Sequence, residues 1–381
     1  MVSRLQCPIS EGTSLRLHAV EATRGDAIVT DVPGTELLAS DDVQLGVIVE
    51  SDSGIAHPIA ESIAMMLPNP GVQAERHTRL LTDFLPRTPT DLRPAIRETL
   101  HRMRSATAAS HADWDRSEMA YYDRDVAGPA QRQEVLHVLR TTPHWGTFLP
   151  RRRYVLDHVA SRVAPGPLLE LGCGTARTVA WTYPPRRHKY RYVGLDISLG
   201  RLLVARQLIP EGDYIQGSAV RLPVRAGAFP VIIAFGAIHH LPDQAACFRE
   251  CHRALAPKGL LGFHEPIRKP LLFPSATGIR QLMATYEHSE HDREIHVEET
   301  IALLQSLGMR IHSARYFVSP LRTVIASILN RSPRLMRVRW IARATDIADG
   351  IFLFTLGRLR RSLGPHALAL VASKSQIPAE H

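Results

Sequence analysis

The run Leu168-Leu169-Glu170-Leu171-Gly172-Cys173-Gly174-Thr175-Ala176 decides the fold. Its apolar half reads as a buried strand. Its two glycines, one residue apart, let the backbone turn sharply and approach a ligand with no Cβ in the way. A helix is predicted to begin just after, so that its free N–H groups face an electron-rich ligand group. The dinucleotide pattern G-x-G-x-x-G/A is not met, because Arg177 stands at its last position, which counts against a dehydrogenase.

Working outward, a second apolar run, Tyr192-Val193-Gly194-Leu195-Asp196-Ile197-Ser198, stops at an acidic residue about twenty positions after the glycines, where the next parallel strand should end. A carboxylate there accepts both hydroxyls of a ribose. The competing role for Asp196 is to cap the following helix, residues 199–208. Third and fourth runs follow at Tyr214-Ile215-Gln216-Gly217-Ser218-Ala219 and at Val231-Ile232-Ile233-Ala234-Phe235-Gly236, the latter continuing into Ala237-Ile238-His239-His240-Leu241-Pro242-Asp243. A helix over 244–255 and the turn Ala256-Pro257-Lys258-Gly259 lead to a fifth strand over 259–264. Alternating strands and helices define an α/β parallel sheet, which binds ligands at the carboxyl ends of its strands.

Around this core, residues 1–70 read as a small β-rich module with strands over 27–29 and 43–49, closed by Leu67-Pro68-Asn69-Pro70-Gly71. Residues 71–150 read as a helical connector or lid, with a helix opening at Thr90-Asp91-Leu92-Arg93-Pro94 and a charged, aromatic segment over 113–123. A helix is predicted over 154–163. Beyond Pro266 a helix over 297–307, a strand over 310–318, arginine-rich helices over 321–363 and a last strand over 366–373 complete the chain.

The runs E-L-G-C-G-T, V-G-L-D-I-S, A-F-G-A-I-H-H-L-P-D and R-A-L-A-P-K-G-L-L, in this order and spacing, closely resemble the class I S-adenosylmethionine-dependent methyltransferases with a type 11/25-like core. The resemblance covers residues 151–266. It implies a Rossmann-like seven-stranded α/β sheet whose last two strands are 310–318 and 366–373. The methyltransferase domain would span 151–381, with a helical insert at 320–365 before the last strand. It also implies roles. Gly172, Cys173 and Gly174 pass under the methionine part of the cofactor, and Glu170 holds the turn or the amino group. Asp196 holds the ribose, and Ile197 packs on the adenine. Ser218 and Ala219 lie at the adenine edge, and Phe235 and Gly236 line the floor beside the sulfonium. Tyr121-Tyr122-Asp123 resembles the segment that folds over the cofactor in many relatives, which places Tyr122 at the site. Two positions depart from the family's usual pattern: Ser218 replaces an Asp on the adenine, a weaker partner than a carboxylate, and Pro230 replaces an Asp near the start of the fourth strand, where proline is tolerated.

In the first 70 residues, Leu5-Gln6-Cys7-Pro8 and Gly54-Ile55-Ala56-His57-Pro58-Ile59 resemble the small zinc-ribbon-like activator domain that accompanies some methyltransferases. Ser10 stands where a second cysteine would be. A structural zinc site then lacks ligands, so a degenerate, metal-free version is expected.

Methyl transfer is an in-line displacement at an activated carbon and is chiefly a matter of positioning; an oxygen nucleophile also needs a base. His239 and His240 at the end of the fourth strand, and His264 and Glu265 at the end of the fifth, are the candidates. His239 and His240 also suit a purely structural turn. The histidines His288, His291 and His296 match no metal-ligand spacing, and Cys247 and Cys251, one helical turn apart, read as packing residues.

The 381 residues, 45% hydrophobic and 22% charged, have ordinary globular composition. Four cysteines are too few and scattered for a disulfide framework. With no apolar leader at the N-terminus and no membrane-length apolar run, a cytoplasmic location is expected. The formal net charge is +9, and residues 310–361 hold eleven arginines against Asp346 and Asp349. That basic stretch suits a solvated face, an anionic membrane surface or nucleic acid. The absence of an RNA-binding module and of an N-P-P-Y-type motif favours a small-molecule acceptor, with O-methylation of a specialised metabolite or lipid-linked substrate as the leading reading. An RNA methyltransferase and a non-catalytic methyltransferase-like scaffold are the alternatives.

Overall fold

The computed structural model describes residues 15–24, 27–29, 42–50, 55–67, 74–105, 112–141, 149–163, 166–182, 190–267, 293, 295–317 and 367–375. Cys7, Ser10 and the whole 320–365 insert, with its candidate membrane face, lie outside these.

The central sheet is built as the alternating pattern dictates. Strand β6 (Pro167–Leu171) pairs in parallel with β7 (Arg191–Asp196) on one side and β9 (Phe229–Phe235) on the other. Beyond β7 lies β8 (Asp213–Gln216), and beyond β9 lies β10 (Leu255–Pro266), both parallel. The chain then reverses direction: β12 (Ala367–Lys374) runs antiparallel between β10 and β11 (Met309–Phe317). The final two strands therefore fall within a residue of their expected bounds.

The order of these seven strands follows the ligand rule, since the chain leaves β6 toward β7 and β8 and returns to β9 on the other side. The carboxyl ends of β6 and β9 thus flank a crevice. Helices cover both faces. On one side α5 (Leu149–Ala160), α6 (Arg177–Thr182) and α7 (Leu199–Leu208) pack with Val155, Leu156, Val179, Leu202 and Leu203 buried. On the other lie α8 (Gln244–Ala254) and α9 (Val297–Ser306), through Cys247, Phe248, Cys251 and Leu304.

The sheet does not stop at seven strands. Among the described residues it has twelve, because β1 (Leu15–Arg24), β2 (Ala27–Val29), β3 (Asp42–Glu50), β4 (Ala56–Ala60) and β5 (Ile63–Met65) continue it past β8. The joint is the parallel pairing of Ile63, Ala64 and Met65 with Tyr214, Ile215 and Gln216. The β-rich segment expected at the N-terminus therefore has no sheet of its own. Its strands satisfy the open edge of β8, which would otherwise present unpaired backbone groups. Helices α1 (Ala74–Phe84) and α2 (Arg93–Ser105) close this end over β3 and β4 through Leu81, Ile96 and Leu100. Two further helices, α3 (Ala112–Asp123) and α4 (Pro129–Thr141), lie against α7.

Two local readings change. The expected turn at 256–259 is a bulge inside β10, where Lys258 takes φ +63° and the register with β9 shifts between Leu255 and Leu260. Pro230 is the second residue of β9, not its first. No described helix is long and apolar enough to cross a membrane.

Candidate active site

The two glycines after β6 share a conformation but not a reason for it. Gly172 takes φ +56° and Gly174 φ +54°, both in the left-handed region that favours glycine. A Cβ at Gly172 would stand 2.4 Å from the Ala237 Cβ, so the β6 and β9 ends approach here to backbone distance. A Cβ at Gly174 would meet nothing nearer than the Arg201 guanidinium at 4.0 Å, so that side of the loop is open.

Asp196, at the end of β7, fastens this loop. Its Oδ2 accepts from the Gly174 N–H at 2.7 Å, and its Oδ1 from the Ser198 N–H at 2.8 Å. The side chain is 8% exposed. Burial raises its pKa, and the Ser198 and Gly174 N–H groups oppose the rise. The helix cap itself is Ser198, whose hydroxyl accepts from the Arg201 N–H. Asp196 is thus not the cap of α7, and with two lone pairs per oxygen it keeps acceptor capacity for further hydroxyls. Glu170, buried within β6, accepts from the Tyr192 hydroxyl at 2.6 Å; burial pushes its carboxyl up to about 7.

A cavity of about 770 Å³ opens above these strand ends, a volume suited to a cofactor and a small partner. Glu170, Gly172, Cys173, Gly174, Asp196, Ile197, Ser218, Ala219, Phe235, Gly236 and Tyr122 all line it. The sequence-predicted cofactor residues are therefore gathered into one space.

The four base candidates separate. His240 lines the cavity, whereas His239, His264 and Glu265 do not. Glu265, fully buried, accepts from the Ala237 and Ile238 N–H groups at 3.0 and 3.1 Å and contacts His239 Nδ1 at 2.7 Å. Burial alone would raise its pKa, yet the His239 contact and the two N–H groups hold it below the usual carboxylate range. Glu265 and His239 thus lock the turn after β9. His264 sits in register with Phe235, and its carbonyl accepts from the Gly236 N–H.

His240 is held from α3. Its Nε2 lies 2.7 Å from the Tyr122 hydroxyl, and its carbonyl accepts from the Trp114 indole at 2.9 Å. Arg201 donates to the Tyr122 carbonyl at 3.0 Å and stacks 4.7 Å from its ring. Asp123 accepts from the Ser198 hydroxyl and from the Gly200 N–H, so the end of α3 is tied to the start of α7.

Trp114, Asp115, Glu118, Arg152 and Thr178 also line the cavity and were not read from the sequence. Asp115, Glu118 and Tyr122 share one face of α3 by their i, i+3, i+7 spacing, which was the available signal. Arg152 reaches from α5 to the Thr178 hydroxyl at 2.6 Å and to the Phe235 ring at 5.8 Å. Among the described residues, no group of three or more His, Cys, Asp or Glu side chains is gathered to hold a metal ion.

Residues 169–263 match the methyltransferase domain family. A probable S-adenosylmethionine-dependent methyltransferase of Mycolicibacterium smegmatis is 28% identical over 161 residues, 42% of this chain and 58% of that protein. A demethylmenaquinone methyltransferase of Thermotoga maritima is 34% identical over 100 residues, 26% of this chain and 43% of that protein. The chain spans about half the length of the curated relatives it matches. Among solved structures, phosphoethanolamine N-methyltransferase 2 of Haemonchus contortus in complex with S-adenosyl-L-methionine aligns over 68% of this chain and 60% of its own, at 14% identity and a TM-score of 0.45. The match to the methyltransferase domain family falls on the segment from β6 to β10 that carries the glycine turn and Asp196.

Proposed function

We propose that the protein transfers the methyl group of S-adenosylmethionine to a small-molecule acceptor. The observation that carries this is the Gly172–Gly174 turn, pinned to the buried Asp196 carboxylate and opening on its Gly174 side into the cavity. A Cβ at Gly174 would fill that opening, so the loop fits a ligand lying along its backbone. Asp196 would receive the ribose hydroxyls, Ile197 would pack on the adenine, and Ser218 and Ala219 would meet its edge. Glu170 and Arg152 stand at the end of β6, where the amino and carboxylate groups of the methionine portion belong. The cofactor supplies an electrophilic methyl on a sulfonium.

This chain's own residues then orient the acceptor and manage its proton. His240 is the proton acceptor of choice, because it alone among the four candidates lines the cavity and both its ring and its carbonyl are held by α3. Glu265, His239 and His264 are positioning residues for the turn that carries it. We read the acceptor atom as an oxygen and the protein as cytoplasmic on sequence grounds, and the 320–361 arginines as a cover or membrane-surface contact on the same grounds. The N-terminal likeness to a degenerate activator domain stands on the same footing.

Calorimetric titration of S-adenosylmethionine into the wild type and Asp196→Ala tests the assignment. The variant should lose about 1.5–3 kcal/mol of binding, the range for hydrogen bonds to a charged group, while keeping its far-ultraviolet spectrum. No binding to the wild type would overturn the reading and favour a non-catalytic scaffold.

A further inference from the structure

Glu118 stands apart from every other carboxylate of the cavity. It is 4% exposed, lines the cavity wall, and neither of its oxygens accepts a hydrogen bond. The His240 Nδ1 lies 3.7 Å from its Oε2, beyond hydrogen-bond reach. One turn earlier on the same face of α3, Asp115 is 6% exposed and lines the same wall. Two carboxylates three positions apart repel each other, and a carboxylate withdrawn from water without hydrogen bonds is costly to the fold.

Three arginines around this part of the molecule have other partners. Arg201 serves the Tyr122 carbonyl and ring, Arg124 pairs with Asp125 and stacks on Tyr121, and Arg293 stacks on Trp114. By contrast, Glu170 and Asp196, at the cofactor end, each accept hydrogen bonds from within the fold. The cavity therefore has carboxylates held by the fold at the β6 and β7 end and, on α3, a Glu118 carboxylate that accepts no hydrogen bond.

We propose that Glu118 and Asp115 form the acceptor's anchoring subsite and take a protonated amine, so that the acceptor is an ammonium-bearing small molecule held beside His240. A cationic donor answers both features at once: it supplies the hydrogen bonds that Glu118 lacks and sets a positive charge against the buried Glu118 carboxylate. A neutral hydroxyl would answer only the first, and an anionic acceptor would meet repulsion. The ammonium is the handle and not the methylated atom, because a nitrogen held as a cation has no lone pair to attack with. This inference rests on the cofactor reading given above.

The test uses the full chain saturated with S-adenosylhomocysteine and three probes of one shape: benzylammonium, benzyl alcohol and benzoate, titrated calorimetrically at pH 7. Benzylammonium is expected to bind at least tenfold more tightly than benzyl alcohol, with benzoate weakest. Glu118→Gln should erase the preference while S-adenosylhomocysteine affinity stays within twofold, and Asp115→Asn should weaken it. The melting temperature adds a readout that a structural carboxylate would move the other way: Glu118→Gln should melt no lower than the wild type. Equal binding of benzyl alcohol, preference for benzoate, no probe binding, or an ammonium preference that survives in both variants would each overturn the subsite and leave the cofactor reading standing. Failure of S-adenosylhomocysteine to bind the wild type would overturn both.

Discussion

At the residue scale, Gly172 and Gly174 make the sharpest contrast. Adding a methyl at either position forces an L-residue into the left-handed region at about 1–2 kcal/mol, a cost the neighbouring Ala176 already bears at φ +57°. At Gly172 the methyl also strikes the Ala237 Cβ at 2.4 Å, between two strand ends that cannot part. Gly172→Ala should therefore lower the denaturation midpoint well beyond Gly174→Ala, whereas Gly174→Ala should lose cofactor binding with only that backbone cost. Urea melts and calorimetry on the pair would show it, and equal loss of stability in both would refute the division of labour. Glu170 carries a second residue-scale consequence. With its carboxyl pushed up to about 7 by burial, it is close to half protonated at neutral pH. If the cofactor's cationic amino group settles against it, the charged form is favoured and a proton leaves. Titrations at pH 7 in buffers of different ionisation enthalpy should reveal proton release on binding, and Glu170→Gln should abolish it. Binding with no buffer dependence would place the amino group elsewhere.

At the scale of elements, α3 matters because it brings Tyr122, Asp115 and Glu118 to a cavity made by the sheet. Its docking is concentrated at Asp123, which accepts from the side chain and backbone of the α7 start while Val126 packs against Gly200. Asp123→Ala removes both hydrogen bonds and should cost about 1–3 kcal/mol. Hydrogen exchange should rise in α3 more than in β6 or β7, and acceptor turnover should fall further than cofactor affinity; unchanged protection in α3 would show that packing alone holds it. How far these elements were legible follows from where their signals lie. β6, β7 and β9 were readable because each apolar run ends at a residue whose chemistry marks the strand end, Gly172, Asp196 or Gly236. The pairing of β5 with β8 was not, since a three-residue strand joined in parallel leaves no mark beyond the local apolarity of Ile63, Ala64 and Met65. Likewise, His240 and Glu265 looked equivalent as titratable ends of adjacent strands. What separates them is burial and saturation of hydrogen bonds, which depend on the Ala237 and Ile238 backbone and on helix α3, more than a hundred residues away in the chain.

On the scale of the whole molecule, the N-terminal strands tie the folded state to pH. Joining β3, β4 and α1 to the sheet buries His57 and His77 at 3% and 2% exposure. Burial lowers His57 to about 4 against a partial pull upward from Glu50, and lowers His77 to about 3, with His57 and Arg76 acting in the same direction. In the unfolded chain both return to about 6.5. Between pH 6.5 and 4 the unfolded state therefore binds protons that the folded state refuses, so stability must fall as the solution is acidified. Each histidine contributes a slope of up to about 1.4 kcal/mol per pH unit in that window. Glu170 acts in the opposite sense, because its folded pKa lies above its unfolded value, and stability linked to it falls as pH rises through 7. Two groups outweigh one, so the urea midpoint should drop from pH 7 to pH 4.5. His77 is the better probe of the pair, since its Nε2 is buried with no hydrogen-bond partner. His77→Leu should keep the neutral-pH midpoint or raise it, and should flatten the acid slope by up to one proton's worth. An unchanged slope in His77→Leu would mean that the acid transition belongs to carboxylates of the central sheet and its helices and that the N-terminal strands are not its trigger.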